Sequence, residues 1–97
     1  MQIYKVLTLE EWDSFSQVGE FTGSPIDIKD GYIHMSKKEQ LDRILKKYFS
    51  GKEVMIAEVD YEAIESEIKW EAASNGDLFP HLYRPLKLED LVLRQET

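Results

Sequence analysis

The polar and apolar positions of the chain change period several times, and each change marks an element. Ile3 to Leu7 is a short, largely apolar run, and Thr8 follows with Glu11 three residues on. That spacing is the capping-box pattern that starts a helix, so it predicts a strand and then a short helix over about Leu9 to Ser16. Tyr32 to Met35 reads as a buried strand, and Ser36 with Glu39 forms a second capping box. Beyond it Leu41, Ile44, Leu45, Tyr48 and Phe49 recur at helical spacing, the strongest helical signal in the chain.

After Gly51, Val54 to Val59 is rich in β-branched residues and predicts a strand. Asp60 can cap a short helical turn at Tyr61 to Glu65. Ile68, Trp70 and Ala72 then alternate with charged residues, which marks a half-buried strand. Ser74, Asn75, Gly76 and Asp77 supply a hairpin turn, Asn-Gly favouring positive φ, so Leu78 to Tyr83 should return against Ile68 to Ala73. Pro80 lacks a donor and places the return strand at an edge or a bulge. After a break at Pro85, Leu91 to Leu93 closes the sheet.

Between the first helix and GYIHMS the pattern lapses. Gly19, Gly23, Ser24, Pro25, Asp27, Asp30 and Gly31 crowd into Gly19 to Gly31, which reads as an irregular loop, the longest in the molecule. In so small a chain such a loop is more often functional or mobile than filler. The whole predicts an α+β fold of about six short strands and two or three helices, with no internal repeat or linker.

Composition narrows the classes. Ninety-seven residues, 42% of them hydrophobic, suit one domain spanning 1–97 with a normal core. With no cysteine, the chain has no disulfide framework, thiolate nucleophile or cysteine zinc site, and a cytoplasmic home is expected. No segment approaches the roughly 20 apolar residues of a membrane helix, so no membrane association is expected. A formal net charge of −7 repels a phosphate backbone, so nucleic acid is not an expected partner. No G-x-G-x-x-G or P-loop pattern occurs.

The candidate chemistry gathers at the two histidines, His34 in GYIHMS and His81 in FPHLYRPL. Strand alternation sends Tyr32, His34 and Ser36 to one side and Ile33 and Met35 to the other, so a core built on the latter turns the polar trio toward a cleft. An imidazole there can grip a hydroxyl or move a proton near neutral pH, and Ser36, at a helix start, adds a hydroxyl beside free N–H groups. Pro80 confines Phe79 to extended geometry and presents His81 rigidly. Trp70 and Glu71 lie on opposite faces of one strand, so a buried Trp70 leaves Glu71 facing water or a site. Each residue also has a plainer role: a satisfied core histidine, an N-cap serine, a surface histidine and a solvated glutamate. His34, His81, Asp27 and Asp30 could supply metal ligands, but no H-E-x-x-H spacing exists, and no metal site is expected.

Three segments, YKVLTLEEW, DGYIHMS and WEAASNGDLFPHLYRPL, together resemble a bacterial family of unknown function placed in the ADP-ribosyltransferase-like fold superfamily. The resemblance spans nearly the whole chain. It implies a small, split and strongly bent, mainly antiparallel β-sheet whose cleft holds NAD in active relatives, with His34 at the position that contacts the nicotinamide-side ribose. Tyr32 or Tyr83 matches the aromatic residue that packs near the base, and Ser36 joins them as an implied cofactor contact. The last motif position, where a glutamate bonds the ribose 2′-hydroxyl at an oxocarbenium-like transition state, has two claimants, Glu71 and His81. A histidine there is nearer the RNA 2′-phosphotransferase branch. Arg84 departs from the family pattern, which has glycine in the LYGPL string. The implied function is binding of NAD or an ADP-ribose nucleotide, with ADP-ribosyl transfer as the catalytic form. The alternative is a non-catalytic module that kept the fold to bind a small molecule or a protein.

Overall fold

The computed structural model describes residues 1–96, with side-chain surroundings for residues 1–92. Period-two alternation in β1 (Gln2–Thr8) sends Ile3, Lys5 and Leu7 to one face, and all three are buried. β1 pairs antiparallel with β4 (Val54–Asp60), from Gln2 against Asp60 to Thr8 against Val54. β8 (Leu91–Glu96) pairs antiparallel along the other edge of β4, with a register shift between Glu58 and Val59. The closing strand foreseen at Leu91 to Leu93 is therefore present and longer.

Helix α1 (Leu9–Val18) starts on Thr8 as foreseen. The Glu11 N–H donates to Thr8 Oγ1 at 3.0 Å, and the Thr8 N–H donates to Glu11 Oε1 at 2.9 Å. Its Phe15 is buried in the core, and Gly19, at φ +92°, ends it in the left-handed conformation.

The segment 19–31 is not an irregular loop. Glu20–Phe21 (β2) pairs with Leu86–Lys87 (β7), and Pro25–Asp30 forms helix α2. The same turn formers bracket this helix: Ser24 caps it, Pro25 takes its first turn, and Gly31 at φ +87° ends it. Their density signalled two caps close together, not an absence of structure.

Ile33–His34 (β3), Leu78–Leu82 (β6) and Ile68–Ala72 (β5) form a second three-stranded antiparallel sheet in the order β3-β6-β5. Pro80 therefore lies in the middle strand, not at an edge or bulge. It is tolerated because β3 pairs with β6 only at Ile33 to Leu82 and His34 to His81, so the short ladder ends one residue before the proline. The Pro80 carbonyl still accepts from the Met35 N–H at 3.0 Å. The β5–β6 turn also differs in detail. Only Gly76 takes positive φ, +90°, and its N–H donates to the Ala73 carbonyl at 2.9 Å, so Asn75 is not left-handed.

Helix α3 (Lys38–Tyr48) begins one residue later than the Ser36/Glu39 pattern predicts. The Lys37 N–H donates to Gln40 Oε1 at 2.9 Å, and buried Gln40 in turn donates to the Leu78 carbonyl at 2.9 Å. Ser36 instead exchanges a pair of 2.8 Å backbone bonds with Tyr4, stitching the two larger sheets together. Leu41, Ile44 and Leu45 are half-buried, Tyr48 is exposed, and Phe49 lies past the helix end, so this stripe flanks the core more than it builds it. A four-residue helix α4 (Tyr61–Ile64) follows the Asp60 cap and continues as a 3-10 turn, Glu65–Glu67.

Among the described residues the chain is an α+β fold of antiparallel sheets with eight strands and four α-helices, against about six and two or three foreseen. The extra elements are the two-residue strands β2 and β7 and the six-residue helix α2, too short to show a sustained period. Ile3, Leu7 and Ala57 of the first sheet, Ile33, Ile68 and Leu82 of the second and Phe15 of α1 share one core. No described helix is long and apolar enough to cross a membrane.

Candidate functional site

Register decides which side chains share the outer face of the second sheet. Ile33 pairs with Leu82 and Ile68 with Leu82, so these fill the core. The adjacent positions, His34 opposite His81 and His81 opposite Lys69, share the other face, together with Glu71 opposite Phe79. The two histidines thus come from neighbouring strands, their ring centroids 5.2 Å apart and nearly perpendicular. Trp70 is half-buried against the core, its indole N–H donating to the Tyr61 hydroxyl at 3.0 Å, which leaves Glu71 on the histidine face.

Each histidine is backed by a carboxylate. His34 Nδ1 lies 2.6 Å from Asp27 Oδ1, and the same oxygen accepts the His34 main-chain N–H at 3.0 Å. Asp27 Oδ2 accepts from the Ser24 N–H and hydroxyl, both at 2.9 Å, and from Lys5 Nζ at 2.9 Å. Lys5 Nζ also donates to the His34 carbonyl at 3.0 Å. Burial would raise the Asp27 carboxyl, but the bonds from His34 and the charge of Lys5 outweigh it and hold the group well below the usual carboxylate range. The second ring nitrogen of His34, Nε2, lies 3.1 Å from Asp30 Oδ2.

His81 Nδ1 lies 2.7 Å from Glu71 Oε1, which also accepts the Tyr83 hydroxyl at 2.7 Å. Glu71 and His81, rivals for one position in the sequence reading, are partners in one dyad. The bond from His81, then that from Tyr83, lowers the Glu71 carboxyl, and the bond to Glu71 pushes the Tyr83 phenol up to about 12. Tyr32 completes the cluster. Its ring stacks on His81 at 4.1 Å and lies 4.6 Å from His34 and 5.1 Å from Tyr83. Burial, reinforced by the carboxylates of Asp30, Glu71 and Asp27, keeps the Tyr32 phenol protonated above its ordinary value.

Beside this cluster a cleft of about 480 Å³ is lined by Thr22, Ile28, Tyr32, Tyr83, Arg84 and Pro85, among others. Arg84 is half-buried and engaged: it pairs with Asp90 at 2.9 and 3.2 Å and with Glu67, and it donates to the Pro85 carbonyl at 2.7 Å. A second concavity, of about 720 Å³, runs along the charged side of α3 past Arg43 and Asp77, away from the histidines.

The structure therefore brings His34, His81, Glu71, Tyr32 and Tyr83 together, and leaves Ser36 out as a buried bridge residue. Lys5, Asp27 and Asp30 belong to the cluster; the two aspartates were grouped with the histidines only as metal ligands that the spacing argued against, and Lys5 was not singled out at all. Two signals could have found them. A lysine alternating with Ile3 and Leu7 must be buried and needs a counter-charge, and Ser24-Pro25-Ile26-Asp27 is a capping box with its acid three residues on. Among the described residues no three histidine or carboxylate side chains converge as a metal site.

A family model described as a protein of unknown function, DUF952, matches residues 6–93. The chain belongs to the DUF952 family. The DUF952 fold is borne by solved relatives too. The crystal structure of protein CC0527 from Caulobacter crescentus, a structural genomics target, is 38% identical, with 99% of this chain and 85% of that one covered and a TM-score of 0.93. The solution NMR structure of the same protein gives 0.84 at 38% identity, covering 97% and 82%. No curated protein matches this DUF952 domain.

Proposed function

We propose that this DUF952 domain is an ADP-ribosyltransferase-like fold that binds NAD or a related ADP-ribose nucleotide by its nicotinamide–ribose end. One observation carries the reading: Tyr32, His34, His81 and Tyr83 form a continuous aromatic cluster, with His81 buried beneath Tyr32, backed by Asp27, Asp30 and Glu71, beside a cleft of about 480 Å³. That volume is in the range of small-molecule sites. A nicotinamide ring joined to ribose is a cation, and tyrosine faces with nearby carboxylates suit a cation. The diphosphate is less well served, because Arg84 is engaged by Glu67 and Asp90. The fit is thus to the base and its ribose.

NAD supplies, when bound, a glycosidic carbon open to displacement. The chain's own residues hold and orient it: His34 Nε2 toward a ribose hydroxyl in place of Asp30, Tyr32 and Tyr83 against the base, and Glu71 as the carboxylate for developing positive charge. Glu71 and His81 act as one unit in this arrangement, so loss of either disturbs the same group.

Thermal-shift and calorimetric titration of wild type and His34→Ala with NAD, ADP-ribose and nicotinamide tests the reading. A ligand at about 100 times its Kd adds about 2.7 kcal/mol, several degrees for a domain of this size. Binding to wild type and its loss in His34→Ala is expected. Failure of all three compounds to bind wild type at millimolar concentration overturns it.

A second reading, a non-catalytic module that kept the cleft, is favoured by the carboxylate at both nitrogens of His34. Ligand-free His34 then has no open nitrogen for proton transfer. Binding without protein-dependent nicotinamide release from NAD selects this reading over the transferase.

A further inference from the structure

Lys5 and Asp27 place opposite charges inside the protein: their side chains are 8% and 0% exposed. Such a pair is weak evidence for stability, since an apolar pair of similar volume is often as good or better. Its geometry answers to another need. Asp27 Oδ1 takes both the His34 N–H and His34 Nδ1, and Lys5 Nζ takes the His34 carbonyl oxygen, so the pair grips one residue at three points. Ser24 fixes the remaining Asp27 oxygen.

The charges are matched to the same end. A carboxylate can only accept, so Asp27 Oδ1 at 2.6 Å fixes a proton on His34 Nδ1, and Lys5, at 2.9 Å, is the counter-charge that keeps the buried carboxylate ionised. Asp30 Oδ2, at 3.1 Å on a side chain 35% exposed, sits at Nε2 from the solvent side.

We infer that Lys5 and Asp27 are positioning residues that hold His34 with Nδ1 buried and protonated, presenting Nε2 to a ligand hydroxyl in a place that Asp30 occupies until the ligand displaces it. The nature of that ligand rests on the nucleotide reading above; the positioning does not.

Nitrogen-15 NMR of the imidazoles in the ligand-free protein tests it directly. His34 in wild type should carry a proton on Nδ1 throughout the pH range in which the protein is folded. An unprotonated Nδ1 overturns the inference, whatever any variant does. In Lys5→Met/Asp27→Leu, whose apolar pair keeps the core filled, His34 should lose its fixed Nδ1 proton while His81 keeps its own signals. An unchanged His34 spectrum in that folded variant also overturns it. In Asp30→Asn the Nδ1 signal should persist, whereas the apolar double variant should lose at least tenfold in NAD affinity relative to wild type; wild-type affinity in the double variant counts against the inference. If NAD binds none of these proteins while the Nδ1 proton is seen, the nucleotide reading falls and the positioning stands.

Discussion

The Tyr32 ring stacks on His81 with centroids 4.1 Å apart and planes 23° from parallel. Tyr32 follows the glycine that ends α2, whereas His81 belongs to the middle strand of a sheet, so the stack ties a short helix to the sheet it covers. Aromatic pairs of this kind contribute about 0.5–1.5 kcal/mol beyond the area they bury. Tyr32→Ala should therefore cost about 1–3 kcal/mol and lower Tm by several degrees in calorimetry, while Tyr32→Phe, which keeps the ring, should melt close to wild type. An unaltered Tm in Tyr32→Ala would show that the stack adds nothing.

Acid should weaken the fold through Asp27. Its folded value is depressed below the unfolded value of about 3.9, so its contribution is complete well above that value and is lost as pH falls toward the folded one. Glu71 and Asp90 are depressed too and act in the same direction. Urea midpoints measured from pH 7 to pH 3 should fall, beginning near about pH 5, and fall less in Lys5→Met/Asp27→Leu. A midpoint flat across that window contradicts the account.

At the alkaline end the reporter is Tyr83, pushed up to about 12 by its bond to Glu71. A raised phenol favours the folded state below its unfolded value of about 10, and that contribution disappears as pH rises through the folded value. In Glu71→Gln the Tyr83 titration, followed by its own ring resonances, should move down toward about 10. A midpoint that ignores the substitution would mean that Glu71 does not hold the hydroxyl.

Gly23 stands at φ +125°, and a methyl added there would meet the Asp27 Cβ at 2.7 Å. Gly23→Ala should cost about 1–3 kcal/mol by denaturant titration and shift the His34 imidazole signals, because the clash bears on Asp27. Gly51→Ala, with positive φ but open space around it, is the control: it should cost about 1–2 kcal/mol and leave His34 in place. Equal imidazole shifts in both variants would detach Gly23 from the site.

The long regular elements were legible because their periods run far enough to be seen. Thr8 and Glu11 marked α1, the β-branched run marked β4, and the Ile68 to Ala72 alternation marked β5 and its return. The failures share a cause: a two-residue strand shows one alternation at most and a six-residue helix fewer than two turns, so β2, β7 and α2 hid among turn formers. The site split along the same line. His34, Glu71 and His81 were visible as residue types on strands, and strand alternation placed Glu71 opposite Trp70. Asp27 was weighed only as a turn residue and a candidate metal ligand, because its role beside His34 depends on Lys5, 22 positions away in the chain and adjacent only in the fold. Ser36 was assigned to a cap that its neighbour Lys37 occupies, a one-residue error that moved it from a bridge to a site.

Helix α2 is six residues long, too short to persist in water by itself. Its inward anchor is Asp27, which is also the acceptor for the His34 amide. That amide can exchange its hydrogen with solvent only when the carboxylate lets go, so its exchange rate measures how often the helix lifts off the sheet. The histidine pair is thus less a fixed cavity than one side of an opening equilibrium, with a lifetime readable at a single amide.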